Sequence, residues 1–132
     1  MKKILTPLLA ATLLAGCSTS TTSNEVHGTE AGSYEYIAAN STLSRVAEVV
    51  SVTPTVAEDG SSLKLVVTVR NNSNSQQYAK YTITWLDEAG APVPGAIEIA
   101  RQITLPTGRT TFSAVATSPR ARKYKLLLSE TK

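Results

Sequence analysis

The chain holds one cysteine, one histidine and one tryptophan among its 132 residues, so few side chains in it could do covalent chemistry. The cysteine is the best placed of them. Cys17 follows Leu14-Ala15-Gly16, which close an apolar run starting at Ile4 behind Lys2 and Lys3. A basic start, an apolar middle and small residues before a cut are the parts of a secretory signal peptide. Ala15 and Gly16 add almost no bulk beside the Gly16–Cys17 bond, so a peptidase can close on it while Leu14 fills an apolar pocket. Residues 4–16 number 13 and include Pro7, whereas a membrane span needs roughly 20. With no second cysteine, a disulfide within the chain is impossible.

The run Leu14-Ala15-Gly16-Cys17 resembles the lipobox of bacterial lipoproteins. The resemblance implies that Cys17 accepts a diacylglyceryl group on sulfur, becomes the mature N-terminus and is then acylated on its new α-amine. Each buried methylene contributes about 0.8 kcal/mol and a single chain holds only marginally, so several chains are needed for a lasting anchor. In Gram-negative lipoproteins the next residue directs sorting, and aspartate there favours the inner membrane. Ser18 carries no charge, which implies delivery to the outer membrane, with the domain facing the periplasm.

The remaining candidates are weaker. His27 has no cysteine near it and no second histidine to share a metal, so no metal site is expected. It also lies in a polar stretch that would not hold it rigidly enough for a Ser-His-Asp arrangement. Asp87 and Glu88 are adjacent in a turn and would point apart, unlike the two carboxylates of a glycosidase. No glycine-rich phosphate loop is present. The sequence therefore implies no catalytic residues and no cofactor, and a hydrolase ranks behind a binding role. Arg120, Arg122, Lys123 and Lys125 form the one notable surface cluster. They are either an ordinary charged edge strand, where lysines discourage aggregation, or a docking face for an acidic partner, an anionic glycan or lipid headgroups.

Charge is distributed unevenly. The formal net charge of +3 drops to +1 once Lys2 and Lys3 leave with the signal peptide, which excludes a strongly basic nucleic-acid binder. From Cys17 to Gly60 the balance is −5, and from Arg101 to Lys132 it is +6.

Cleavage leaves 116 residues, enough for one domain and a tail. Residues 17–42 are rich in Ser, Thr, Asn, Gly and Ala, which predicts a flexible tether with a stretched limit of about 85 Å. Tyr34-Glu35-Tyr36-Ile37 interrupts it, as a short strand docked on the domain or as an apolar patch of the tail. From residue 43 to 132 the pattern is that of strands. Val46 to Val52 is valine-rich, and Pro54 predicts an edge position, since proline cannot donate to a ladder. Leu63, Leu65, Val67 and Val69 alternate with polar residues, as do Ala79, Tyr81, Ile83 and Trp85. Ile97, Ile99, Ile103 and Leu105 share a parity that Arg101 breaks. Thr110, Phe112 and Ala114 lie on one side of another strand, and Tyr124, Leu126 and Leu128 on one side of the last. Glu58-Asp59-Gly60-Ser61, Asp87-Glu88-Ala89-Gly90 and Pro106-Thr107-Gly108 are turn signals. Six or so short strands without a convincing helix predict an all-β, immunoglobulin/fibronectin-like antiparallel sandwich centred on Trp85.

The runs Leu63 to Ser73 and Tyr81 to Gly90, with Ala116-Thr117-Ser118-Pro119 and Lys123-Tyr124-Lys125-Leu126, resemble the YcfL-like family of small proteobacterial outer-membrane lipoproteins. That resemblance covers about residues 46–130 together with the lipobox, and its most distinctive part is the Trp85-x-Asp87-x-x-Gly90 hairpin. It implies an immunoglobulin-like sandwich on a lipid anchor, a largely uncharacterised role and no catalytic residues. The expected function is a non-enzymatic envelope module that binds another periplasmic protein. The alternative is binding of an anionic polymer or lipid through the C-terminal basic strand.

Overall fold

The computed structural model describes residues 24–39, 41–95 and 99–131. Among these residues eight strands form two antiparallel sheets, with one short helix: β1 (Asn24–Thr29), β2 (Tyr34–Ile37), α1 (Thr42–Val46), β3 (Ala47–Val56), β4 (Leu63–Asn71), β5 (Gln77–Leu86), β6 (Arg101–Leu105), β7 (Gly108–Val115) and β8 (Lys123–Glu130). One sheet runs β2-β1-β8-β5-β6 and the other β3-β4-β7. The expected all-β sandwich is what the chain forms.

Alternation explains the core. In β4 every second side chain from Leu63 to Asn71 is buried, and in β8 Tyr124, Leu126 and Leu128 are buried in turn. These two rows meet between the sheets, with Trp85, Ile83 and Val26 beside them. Trp85 is 5% exposed, so its large ring contributes packing area, as its apolar surface predicts. Asp59 and Asp87 fold the hairpin turns by accepting backbone N–H groups, from Ser61 and Ser62 in one case and from Ala89 and Ala91 in the other. Gly60 and Gly90 complete these turns at φ of 79° and 89°, a region open to glycine.

Asn71 ties the two sheets together. Its buried amide donates to the carbonyls of Leu105 and Ser75, while its oxygen accepts from the backbone and hydroxyl of Ser73. Both donors and the acceptor are satisfied, which is what makes a buried amide tolerable.

The expected tether boundary at residue 42 is corrected, because Asn24–Thr29 is an internal strand of the larger sheet, paired with β2 on one side and β8 on the other. Its sequence, Asn-Glu-Val-His-Gly-Thr, has one large apolar residue and weak intrinsic strand preference. Ladder bonds to two neighbours supply what propensity lacks. Tyr34–Ile37 is the edge strand β2, so of the two readings of that stretch the docked strand is the one found. A short helix also exists where none was expected. Ser41 and Ser44 cap α1 reciprocally, and Leu43 is its buried contact with the core.

Pro54 lies in β3, at an edge, as its missing N–H requires. Pro106-Thr107 does more than turn the chain. β6 and β7 belong to different sheets, so these residues carry the chain across the sandwich.

Candidate functional site

Leu14, Ala15, Gly16, Cys17 and Ser18 lie outside the described residues. The basic cluster lies within them, and the structure divides it. Arg120 is exposed in the turn before β8, where its N–H donates to Ser118 Oγ. Arg122 is engaged: its guanidinium donates to the carbonyls of Pro119 and Ala121, and its Nε lies 3.3 Å from a Glu30 carboxylate oxygen. Lys123 and Lys125 project from the outer face of the five-stranded sheet. Lys125 sits in register between His27 and Thr84, and His27 in turn bonds Glu25 at 2.9 Å and faces Glu35. The lysines thus share their face with two acids. The edge-strand reading of this cluster is corrected too, since β8 lies between β1 and β5, where its backbone is paired on both sides.

The structure shows a feature that the sequence reading did not single out. On one flank the gap between the sheets is closed by tyrosines. Tyr34 and Tyr36 of β2 turn inward, and the Tyr34 hydroxyl reaches the carbonyl of Val50 in β3 at 3.5 Å. Burial pushes the Tyr36 hydroxyl above its ordinary pKa, and pushes Tyr124, deeper in the same flank, up to about 12. The opposite flank, between β5–β6 and β7, is open.

There the sheets part to leave a cleft of about 450 Å³. Tyr81, Ile83 and Trp85 of β5 line one wall, Ile99 and Arg101 its lip, and Ser113 to Val115 with Thr117 the other wall. Ile83 and Trp85 are part of the core, whereas Ile99 and Val115 are 54% and 48% exposed. Tyr81 stacks on Phe112 with ring centroids 4.3 Å apart, which ties β5 to β7 at the core side of the cleft. Arg101 occupies an inward position of β6 opposite Tyr81, and this is the charge that breaks the apolar parity in the sequence. An inward arginine is stable there because the interior opens to solvent beside it.

Among the described residues lining the cleft, Tyr81 and Arg101 carry the phenol and the guanidinium, and none carries a carboxylate, imidazole or thiol. Such a surface offers apolar area, hydroxyls and one guanidinium. Such a lining can hold an extended or apolar ligand.

Residues 35–130 match the family described as "Protein of unknown function (DUF1425)". The chain belongs to this family. Residues 1–18 match the prokaryotic membrane lipoprotein lipid attachment site, so the DUF1425 domain is held to a membrane by a lipid anchor. Among the described residues no helix is long and apolar enough to cross a membrane. A crystal structure of a DUF1425 family member from Shewanella sp. pv-4 is 19% identical, with a TM-score of 0.57, covering 89% of this chain and 98% of that one. The crystal structure of Campylobacter jejuni cj0090 is also 19% identical, with a TM-score of 0.55, covering 63% of this chain and 85% of that one. Both likenesses are of fold. No curated protein matches the sequence.

The DUF1425 match begins inside β2 and takes in every lining residue of the cleft, while β1 precedes it. One signal for the cleft was present in the sequence: Arg101, standing where Ile99 and Ile103 predict an apolar side chain.

Proposed function

We propose that this DUF1425 protein is a non-enzymatic interaction module of the outer membrane, anchored through Cys17 and presenting its sandwich to a protein partner in the periplasm. The observation that carries the proposal is the open cleft, whose described lining can bind but has no acid–base pair. Attachment at Cys17 is supported by the lipid-attachment match, which ends one residue beyond it. The outer-membrane destination is supported by the uncharged Ser18 and by the YcfL-like resemblance. An immunoglobulin-like reading takes support from strand order. β3-β4-β7 facing β6-β5-β8-β1 corresponds to strands A-B-E facing C′-C-F-G, with the N-terminal strand in the place of the last one.

Pull-down of the lipidated protein from detergent-solubilised envelope, set beside sedimentation with peptidoglycan and lipopolysaccharide, tests this. A retained protein, with neither polymer carried down, is the expected result. Co-sedimentation abolished by Lys123→Glu with Lys125→Glu would replace the module with a polymer binder. Turnover of an envelope substrate would refute the non-enzymatic reading.

A further inference from the structure

The sandwich has four sheet edges, and three of them carry devices that discourage another strand. β2 has four residues, one of them Glu35. β6 has five, beginning with Arg101. β3 is longer, but its ladder slips between Val49 and Ser51 and Pro54 interrupts its donors. Short length, charge, bulges and proline are the ordinary protections of an edge.

β7 has none of these through most of its length. Its eight residues pair with β4 without a register shift, and it contains no proline and no lysine, with Arg109 near its start. Ala116, just beyond it, donates to the carbonyl of Leu63 at 2.8 Å. Alternation along an antiparallel ladder then directs the N–H and C=O groups of Thr111, Ser113 and Val115 away from β4. Among the described residues no strand pairs with that side.

The cleft lies directly inside this edge. A strand added to β7 would lie about 4.8 Å beyond it, with alternate side chains directed between the sheets. Those side chains would enter the cleft over Ile83 and Trp85, with Ile99 and Arg101 at its lip. The edge supplies main-chain pairing and the cleft supplies side-chain selection, the two parts of recognition by strand addition.

We infer that the β7 edge and this cleft accept an extended segment of a partner protein, apolar at alternate positions, with a carboxylate placed at Arg101. The inference rests on the interaction-module reading and names where and how the partner binds. Charge selects the acid. From Ile99 to Ala121 the chain carries Arg101, Arg109 and Arg120 and no Asp or Glu. Arg70, which faces Arg109 across the ladder, is already paired with Glu48. A second copy is a poorer occupant. Its β7 turns Thr110, Phe112 and Ala114 toward its own core, so edge-to-edge pairing would leave both clefts unfilled while adding three more arginines.

The test uses the lipidated full-length protein in detergent micelles and a labelled seven-residue peptide, Thr-Glu-Thr-Val-Thr-Val-Thr, with blocked ends. Trp85 is the only tryptophan, so its emission reports occupation of the cleft directly. Two further peptides carry N-methyl groups, one on the threonine amides and one on the glutamate and valine amides. Only one of the two sets faces β7 in an added strand, so one methylated peptide should lose binding and the other keep it. Replacing Glu by Lys in the peptide should weaken binding roughly threefold, the scale of an exposed ion pair, and Arg101→Glu should reverse that preference. Ser113→Pro removes an outward N–H without costing a bond to β4. It should abolish binding while the melting temperature stays close to wild type.

Equal binding by both methylated peptides, or no binding by any peptide at millimolar concentration, would overturn the inference. Unchanged binding by Ser113→Pro would do the same. A photo-crosslinking residue at Val115, with a control at Lys125, separates this from the broader reading. Envelope crosslinks from Lys125 alone would remove the β7 site and keep the module, while crosslinks from neither position would remove both.

Discussion

Gly28 offers the sharpest test of how β1 is held. It lies opposite Tyr124 in the β1–β8 ladder, and both face the interior. A Cβ built on Gly28 would overlap the Tyr124 hydroxyl and Cζ and come within 2.8 Å of Cε1. Tyr124 is 1% exposed, so the ring has little room in which to move aside. Two effects of Gly28→Ala oppose each other. Alanine in a strand interior gains about 0.5–1 kcal/mol over glycine through the unfolded chain. Forcing an extra carbon into a filled core costs about 1–3 kcal/mol. The overlap here is with the body of a ring rather than a flexible tip, so the cost lies toward the upper end. The net expectation is a loss of about 1–2 kcal/mol, or roughly 5–10 °C in Tm for a domain of this size.

A double-mutant cycle isolates the cause. In a Tyr124→Leu background, which lacks the ring end, Gly28→Ala should become neutral or stabilising. Tyr124→Phe should not rescue it, because Cζ remains. Circular dichroism melts of the six proteins suffice. A rise in Tm for Gly28→Ala in the wild-type background would show that β1 does not lie against Tyr124, and the corrected tether boundary would fall with it.

Other expectations are as direct. Tyr124 titrates near 12 in the folded chain against an ordinary value of 10.0, so below pH 10 both states are protonated and stability is full. Between pH 10 and 12 the unfolded state releases the Tyr124 proton first, and this group should lower stability by about 1.4 kcal/mol per pH unit; Tyr124→Phe should remove that contribution in urea titrations and leave the one from Tyr36. Trp85→Ala should cost about 3–5 kcal/mol, read as a large drop in Tm, whereas a Tm within a degree or two of wild type would contradict its burial. Cys17→Ser should end incorporation of a fatty-acid label, and persistent labelling would refute that attachment point. Ser18→Asp should move the protein from outer- to inner-membrane fractions on a density gradient, and wild type found with the inner-membrane markers would sink the destination.

The sequence made legible those elements in which each residue carries its own signal. Leu63 to Val69 and Tyr124 to Leu128 alternate so regularly that their buried faces follow from composition alone. Pro54 marked an edge because a missing donor mid-strand is poorly tolerated between two paired neighbours. β1 was not legible for the opposite reason. Asn24-Glu25-Val26-His27-Gly28-Thr29 looks like tail composition, and what makes it a strand is remote: two ladders and a tyrosine ring laid over Gly28. The lysines of β8 resemble edge protection, yet β8 lies between β1 and β5, because lysines on the outer face of an internal strand leave the same sequence signature. The cleft was invisible because it is an absence, a place beside β7 where no strand of this chain is described. Arg101 was its only trace, and a broken parity becomes interpretable only when the neighbouring sheet is known.

Moving the tether boundary from residue 42 to residue 24 also changes what the cleft can meet. With Cys17 as the anchored residue, seven residues precede β1, and a fully extended chain of that length reaches about 25 Å. The earlier boundary would have allowed roughly 85 Å. The chain enters the sheet at Asn24, whose side chain is fixed by accepting the Ala39 N–H at 2.9 Å. In the ladder Asn24 lies opposite Leu128, Leu128 opposite Tyr81, and Tyr81 opposite Arg101. The point of entry and the cationic lip of the cleft therefore share one cross-strand row, three strand spacings or about 14 Å apart. On the proposed Cys17 anchor, so short a leash in the same row would keep the cleft near the lipid surface. The proposed partner segment would then lie within a few nanometres of the membrane, as an extramembrane loop or a neighbouring anchored protein would.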